Sequence, residues 1–258
     1  TSFYENQAVF PLYMDSYVRS KSAFRVVGVV PGQGRVKAFK TNGFDFGLNA
    51  RVLNKKFKWD LGINLGLYRN KIQSLAGGND IVTSYANGTY LTRVGQAANL
   101  FYGQRTNGVY ATDAEAAAAG LTIVNSAGVT VPFKGGDMRF IDTNGDKIIN
   151  GADRVVIGNP NPDLFGSFNN TFGYKNWTLD VLVSFVLGND IYNYTRAVLE
   201  SGNAYYNQSE IMRNRWRGEG QVTNVPKASF GDPMGNAQFS DRWIEDGSYF
   251  ENQGHQIC

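Results

Sequence analysis

Strict alternation of apolar and polar residues limits what this chain can fold into more than any other feature. Between Leu164 and Leu187 two alternating segments meet at a short Lys175-Asn176 connection. In the second, Trp177, Leu179, Val181, Val183, Phe185 and Leu187 share one face, with Thr178, Asp180, Ser184 and Gly188 on the other. Only Leu182 and Val186 blur the polar side. A period of two is the side-chain period of a strand, so one face, and only one, must meet an apolar medium. That medium is either the core of a sandwich or a lipid bilayer.

The pattern recurs. Phe44, Phe46, Leu48, Ala50 and Val52 alternate without exception with Gly43, Asp45, Gly47, Asn49 and Arg51. After Asn54-Lys55-Lys56, a second run sets Phe57, Trp59, Leu61, Ile63, Leu65 and Leu67 against Lys58, Asp60, Gly62, Asn64 and Gly66. Each run approaches the roughly 9–11 residues that a tilted strand needs to cross hydrocarbon, against about 5–6 for a soluble strand. Phe57, Trp59, Tyr174 and Trp177 gather beside the two short turns, where an interfacial aromatic girdle would lie. The pattern favours a membrane barrel and leaves a soluble sandwich open.

Composition narrows the remaining classes. Charged residues make up 18% of the chain and the net charge is +3, too little to argue for nucleic acid. No apolar run reaches the length of a membrane helix, so any membrane residence must be as strands. No basic segment followed by an apolar one opens the chain, so an exported form would begin downstream of its signal. The one cysteine, Cys258, excludes an internal disulfide. The one histidine, His255, argues against a histidine metal cluster or a Ser-His-Asp triad, and no GxSxG motif is present. The expectation is therefore that this is not an enzyme.

Short turns alternate with long excursions over 68–163 and 188–238, the asymmetry of outer-membrane barrels. The first excursion includes a helix candidate at Asp113–Ala119. Parity places both short turns on one side of the membrane. Poorly alternating Phe3–Met14 is expected to ascend, and Phe239–Phe250 to start a descending strand.

In GDMRFIDTNGDKIINGADR, Asp142, Asn144, Asp146, Asn150 and Asp153 occupy positions 1, 3, 5, 9 and 12 of a calcium loop, and Ile148 offers its carbonyl at 7. Hard oxygen donors at this spacing suit a structural Ca²⁺. Lys147 stands where an EF-hand needs glycine, and Asp153 replaces the bidentate glutamate, which is nearer to dockerin-type loops. The alternative is a surface loop that folds on Asx turns and binds nothing.

Taken together, TNGFDFGLNARVLNKKFKWDLGINLGLYRNKI, the Asp142 loop followed by IGNPNPD and its alternating hairpin, and FSDRWIEDGSYF resemble the C-terminal part of SusC/RagA-type TonB-dependent outer-membrane transporters. The resemblance runs from about Gly34 to Phe250. It implies an all-β fold: an antiparallel up-and-down transmembrane β-barrel segment, incomplete at about five or six strands, with long extracellular loops. The complete barrel would be of the class with about 22 strands. It further implies residence in the lipid of a Gram-negative outer membrane, a SusD-like surface lipoprotein as lid, TonB acting through an N-terminal region not contained here, and a glycan or peptide cargo. Residues 1–258 would be part of the barrel domain, unable to close or transport alone. Residues 251–258 depart from the family's Arg-Leu/Ile-Lys strand, and a frame displaced by one nucleotide can encode Arg-Ile-Lys there. The alternative from another class is a secreted β-rich carbohydrate-binding module with a calcium-stabilised loop.

Some side chains admit a sharp and a plain reading. Tyr192, Tyr194, Tyr205, Tyr206 and Trp216 suit the apolar face of a sugar, or pack against their own loop. Arg213, Arg215 and Arg217 suit anionic ligands, or are solvated. Asp45, Asp60 and Asp180 would point into a lumen, to bond neighbouring strands or to select solutes.

Overall fold

The computed structural model describes residues 9–10, 14–20, 36–125 and 128–257, with side chains described only within 38–252. Its main feature is a seven-stranded antiparallel sheet: β1 (Val9–Phe10), β2 (Met14–Ser20), β3 (Val36–Asn54), β4 (Phe57–Leu75), β5 (Leu164–Tyr174), β6 (Trp177–Leu187) and β7 (Tyr249–Ile257). Each strand pairs with its neighbour in sequence, so the sheet is an up-and-down meander. β5 and β6 are 11 residues each. At about 3.3 Å per residue and a tilt near 45°, such a strand covers about 25 Å of height, the thickness of a barrel's apolar band.

The register keeps the alternating faces separate. Phe44 pairs with Leu67, Leu48 with Ile63, Ile63 with Phe168 and Phe168 with Val183, all on the apolar face. Among the described residues no second sheet packs on that face, and Phe57, Leu67, Tyr174 and Trp177 on it are exposed. A soluble sandwich would need that cover. No described helix is long and apolar enough to cross a membrane. Cross-strand rings fill the face instead: Phe57 and Trp59 stack on Phe172 at 6.1 and 5.9 Å, and Phe185 stacks between Phe168 and Phe250 at 5.5 Å each. Asn170 interrupts this face, and its Oδ1 accepts from Trp59 Nε1 at 3.2 Å. Such pairing is what lipid demands of a polar side chain.

Several expectations need adjustment. β3 and β4 are 19 residues each, extending well past the alternating runs. The ladder shifts register between Arg51 and Leu53, so Val52 is bulged and Leu53 joins Trp59 on the apolar face. Alternation cannot reveal a bulge, because the extra residue belongs to one strand of the pair. Of the expected Phe3–Met14 strand, residues 3–8 and 11–13 lie outside the described residues, while Met14–Ser20 forms a strand that the poor alternation did not indicate. The last descending strand starts at Tyr249 rather than near Phe239; Ile244–Asp246 instead pairs with Asp190–Tyr192. The unusual tail continues β7, pairing with β6 as far as Leu179–Ile257.

The two long excursions fold together. Val109, Tyr110, Phe133, Met138, Phe140 and Ile149 form a core, onto which Trp216 and Met234 of the second excursion pack. Short sheets frame it, including Ile81–Tyr85, Gly88–Thr92, Leu100–Gly103 and Val155–Gly158. Helix α1 (Asp113–Ala119) lies where expected, capped by the Thr112 side chain on Glu115 N–H and closed by left-handed Gly120. At Gly136 (φ 83°) a Cβ would stand 2.4 Å from the Trp216 ring, so glycine lets the two excursions meet.

Candidate functional site: a two-faced wall and its loops

The polar face is built in rows, because paired residues on adjacent strands point the same way. Next to the row of Asn54, Lys58, Gly173 and Thr178 at the short turns, Arg51, Asp60, Thr171 and Asp180 are in cross-strand register. Arg51 Nε lies 2.7 Å from Asp60 Oδ1, and Thr171 donates its hydroxyl to Asp180. Asn49, Gly62, Asn169 and Leu182 form the next row, then Gly47, Asn64, Ser167 and Ser184, then Asp45, Gly66, Phe165 and Val186. A recess of about 570 Å³ opens along the lower rows, lined by Asn49, Arg51, Asp60, Asn169 and Thr171. A second, of about 630 Å³, is lined by Asp45, Asn64, Phe165, Ser184 and Tyr249. Phe165 lies across Gly66, where a Cβ would come within 2.6 Å of the ring. Of the three aspartates singled out in the sequence, Asp60 and Asp180 bond neighbouring strands and Asp45 borders the upper recess.

The Asp142 loop closes largely on its own amides. Asp142 accepts from Gly145 N–H at 2.7 Å and Lys147 N–H at 2.9 Å, which hold its carboxyl below the ordinary value, the Lys147 bond contributing most. Asn144 Oδ1 accepts from Asp146 N–H, and Asp146 Oδ1 from Ile148 N–H. Asn150 caps Ala152 N–H and donates to the Ile148 carbonyl. Asp153 is fully buried, its two oxygens accepting from Thr143 and Asn150 N–H at 2.9 Å each. Lys147 adopts φ 65°, the turn for which an EF-hand uses glycine. Among the described residues no three carboxylate, imidazole or thiol groups are gathered as a metal site. Asp142, Asn144 and Asp146 keep lone pairs beyond these bonds, whereas Asp153 is committed to the fold.

The loop side chains divide. Trp216 packs on the core and donates Nε1–H to the Ala111 carbonyl. Tyr192 meets Phe239 edge-on at 4.9 Å, and Tyr194 meets Tyr192 at 6.1 Å. Tyr205 stays 93% exposed, 5.2 Å from the exposed Phe230 ring, and Tyr206 is exposed too. Arg213 pairs with Glu210, Arg215 reaches the Met212 carbonyl and Arg217 the Arg213 carbonyl.

Two buried charge clusters lie outside the residues that the sequence marks as candidates. Asp137, fully buried, takes Lys227 Nζ at 3.0 Å and Asn236 Nδ2 at 3.1 Å. Arg242, 8% exposed, lies 4.3 Å over the Trp243 ring with Glu200 3.6 Å away, and burial pushes its guanidinium down to about 10. Only the run SDRWIED hinted at the second cluster; the first joins residues about ninety apart, which no local pattern marks.

No family model matches the chain. It is 30% identical over 217 residues to TonB-dependent receptor P3 of Formosa agariphila, covering 81% of this chain and 20% of that protein. TonB-dependent receptor P26 of the same organism matches at 30% over 224 residues, 83% of this chain and 21% of that protein. The chain belongs to the SusC/RagA-type TonB-dependent receptors. TonB-dependent receptor SusC of Bacteroides thetaiotaomicron is 27% identical over 193 residues, 67% of this chain and 17% of SusC. The fold matches the structure of the RagAB peptide transporter with a TM-score of 0.66 at 18% identity, over 95% of this chain and 26% of that one. The chain thus spans about a fifth of the length of the curated receptors it matches. SusC/RagA-type receptors are outer-membrane β-barrel proteins, and the meander is an unclosed portion of such a barrel.

Proposed function

We propose that this segment forms part of the wall and outer loops of an outer-membrane importer that takes up oligosaccharides or peptides. The observation that carries the reading is the uncovered apolar face opposite a face of amides, hydroxyls and paired charges. One face suits acyl chains, and the other suits a watery lumen. The protein is then a conduit rather than an enzyme. Residues 68–163 and 188–238 face outward, toward cargo and a SusD-like lipoprotein lid, and TonB engages a region outside this segment. The RagAB and SusC relatives support this arrangement. In a strain lacking the receptor, the full-length gene should restore growth on a glycan or a peptide source. A soluble maleimide should label cysteines placed at Asn49, Asn64 and Asn169, and spare those at Ile63, Phe168 and Val183. Growth on neither source, or equal labelling of both sets, refutes the reading.

For the Asp142 loop we propose a structural Ca²⁺ held by Asp142, Asn144, Asp146, the Ile148 carbonyl and Asn150, with Asp153 bracing the loop from within. The donor spacing and the left-handed turn at Lys147 support it. Calorimetric titration of the full receptor with Ca²⁺ that releases no heat rejects it.

A further inference from the structure

The two short turns carry a concentration of positive charge that the transport reading does not use. Phe57 pairs with Tyr174 and Tyr174 with Trp177, so the hairpin ends at Lys55-Lys56 and Lys175-Asn176 are neighbours. Lys55, Lys56 and Lys175 are all exposed. None enters an ion pair among the described residues. The nearest carboxylates on these strands, Asp60 and Asp180, lie on the polar face, away from Tyr174 and Trp177, Asp60 paired with Arg51 and Asp180 accepting from the Thr171 hydroxyl. Exposed Phe57, Tyr174 and Trp177, the last 66% exposed, border the same turns, and Lys175 Nζ rests 5.5 Å from the centroid of the Tyr174 ring.

We propose that this rim is a binding site for anionic phospholipid headgroups in the leaflet that meets the short turns. The inference rests on the bilayer-spanning reading above. Aromatic side chains settle at headgroup depth, and lysines among them hold their ammonium groups at the level of the lipid phosphates while their stems cover apolar surface. An ammonium is a point-charge partner for phosphate. Zwitterionic headgroups bring their own cation, which competes with the lysines, whereas anionic ones do not. Cations that meet no counter-carboxylate among the described residues at this depth therefore select net negative lipid.

The test uses the full-length receptor in lipid nanodiscs, with Trp177 as reporter, read as the difference between wild type and Trp177→Phe. Nanodiscs carry phosphatidylglycerol or phosphatidylcholine brominated near the ester carbonyl. Phosphatidylglycerol should quench Trp177 at roughly tenfold lower mole fraction. The preference should vanish in Lys55→Gln/Lys56→Gln/Lys175→Gln and shrink in high salt. Equal quenching by the two lipids overturns this proposal and leaves the bilayer reading standing. Quenching by neither overturns both. A preference that survives the triple substitution overturns the assignment to these lysines.

Discussion

Replacing Val183 by arginine tests the membrane wall most directly. Val183 lies on the apolar face opposite Phe168, six residues along β6 from Trp177 at the aromatic rim. At about 3.3 Å per residue and a tilt near 45°, it stands about 14 Å above that rim, close to the middle of an apolar band about 25 Å tall. Arginine on the lipid face at the midplane costs about 2–4 kcal/mol. That shifts the folding equilibrium by roughly thirtyfold to several-hundredfold. The same substitution at Leu179, two residues from the rim, should cost about 0–1 kcal/mol. At Asn169, exposed on the polar face, it should cost less than at Val183. The assay is the fraction of heat-modifiable, folded full-length receptor in purified outer membranes, followed by its loss in denaturant. A Val183→Arg receptor as stable as Asn169→Arg, or a cost that ignores depth, refutes the assignment of this face to lipid.

Lys227→Met strands the buried Asp137 carboxylate without its cation; loss of about 3 kcal/mol is expected, seen as earlier proteolysis of the loop unit, and an unchanged cleavage rate contradicts it. Acid should loosen the Asp142 loop in Ca²⁺-free buffer. Its carboxyl is held below 3.8, so the stabilisation is complete at pH values above that ordinary value and disappears as pH falls through the depressed one. Amide exchange at Gly145 and Lys147, slow at neutral pH, should then speed up beyond the intrinsic pH trend; exchange that follows the intrinsic trend alone rejects the linkage. Tyr205→Ala and Phe230→Ala should each change stability by less than about 0.5 kcal/mol, because both rings are exposed. Calorimetric melting checks this, and a large drop in melting temperature means that the pair is structural.

The two hairpins were legible in the sequence residue by residue, because period-two alternation is a local property and the medium on each side enforces it over the whole strand. Asp113–Ala119 was legible as well, its cap and stop being local too. Other features depend on distant chain. The bulge at Val52 exists only against β4, and the continuation of β3 and β4 past the alternating runs follows from their pairing with each other. The start of β7 at Tyr249 follows from the capture of Ile244–Asp246 by Asp190–Tyr192. In the Asp142 loop the donor spacing was plain, but the burial of Asp153 was not, since it depends on how the loop packs.

What the sequence determined by itself was a chain of two-faced strands joined by short basic turns and long excursions. Tertiary structure alone decided that the excursions form one unit, tied by Lys227 and Asn236 to Asp137, and that nothing protein covers the apolar face among the described residues. The physical reason is the range of the forces concerned. Side-chain alternation is written between neighbours along the chain, whereas a buried charge finds its partner, and an apolar face its cover, only when remote segments meet.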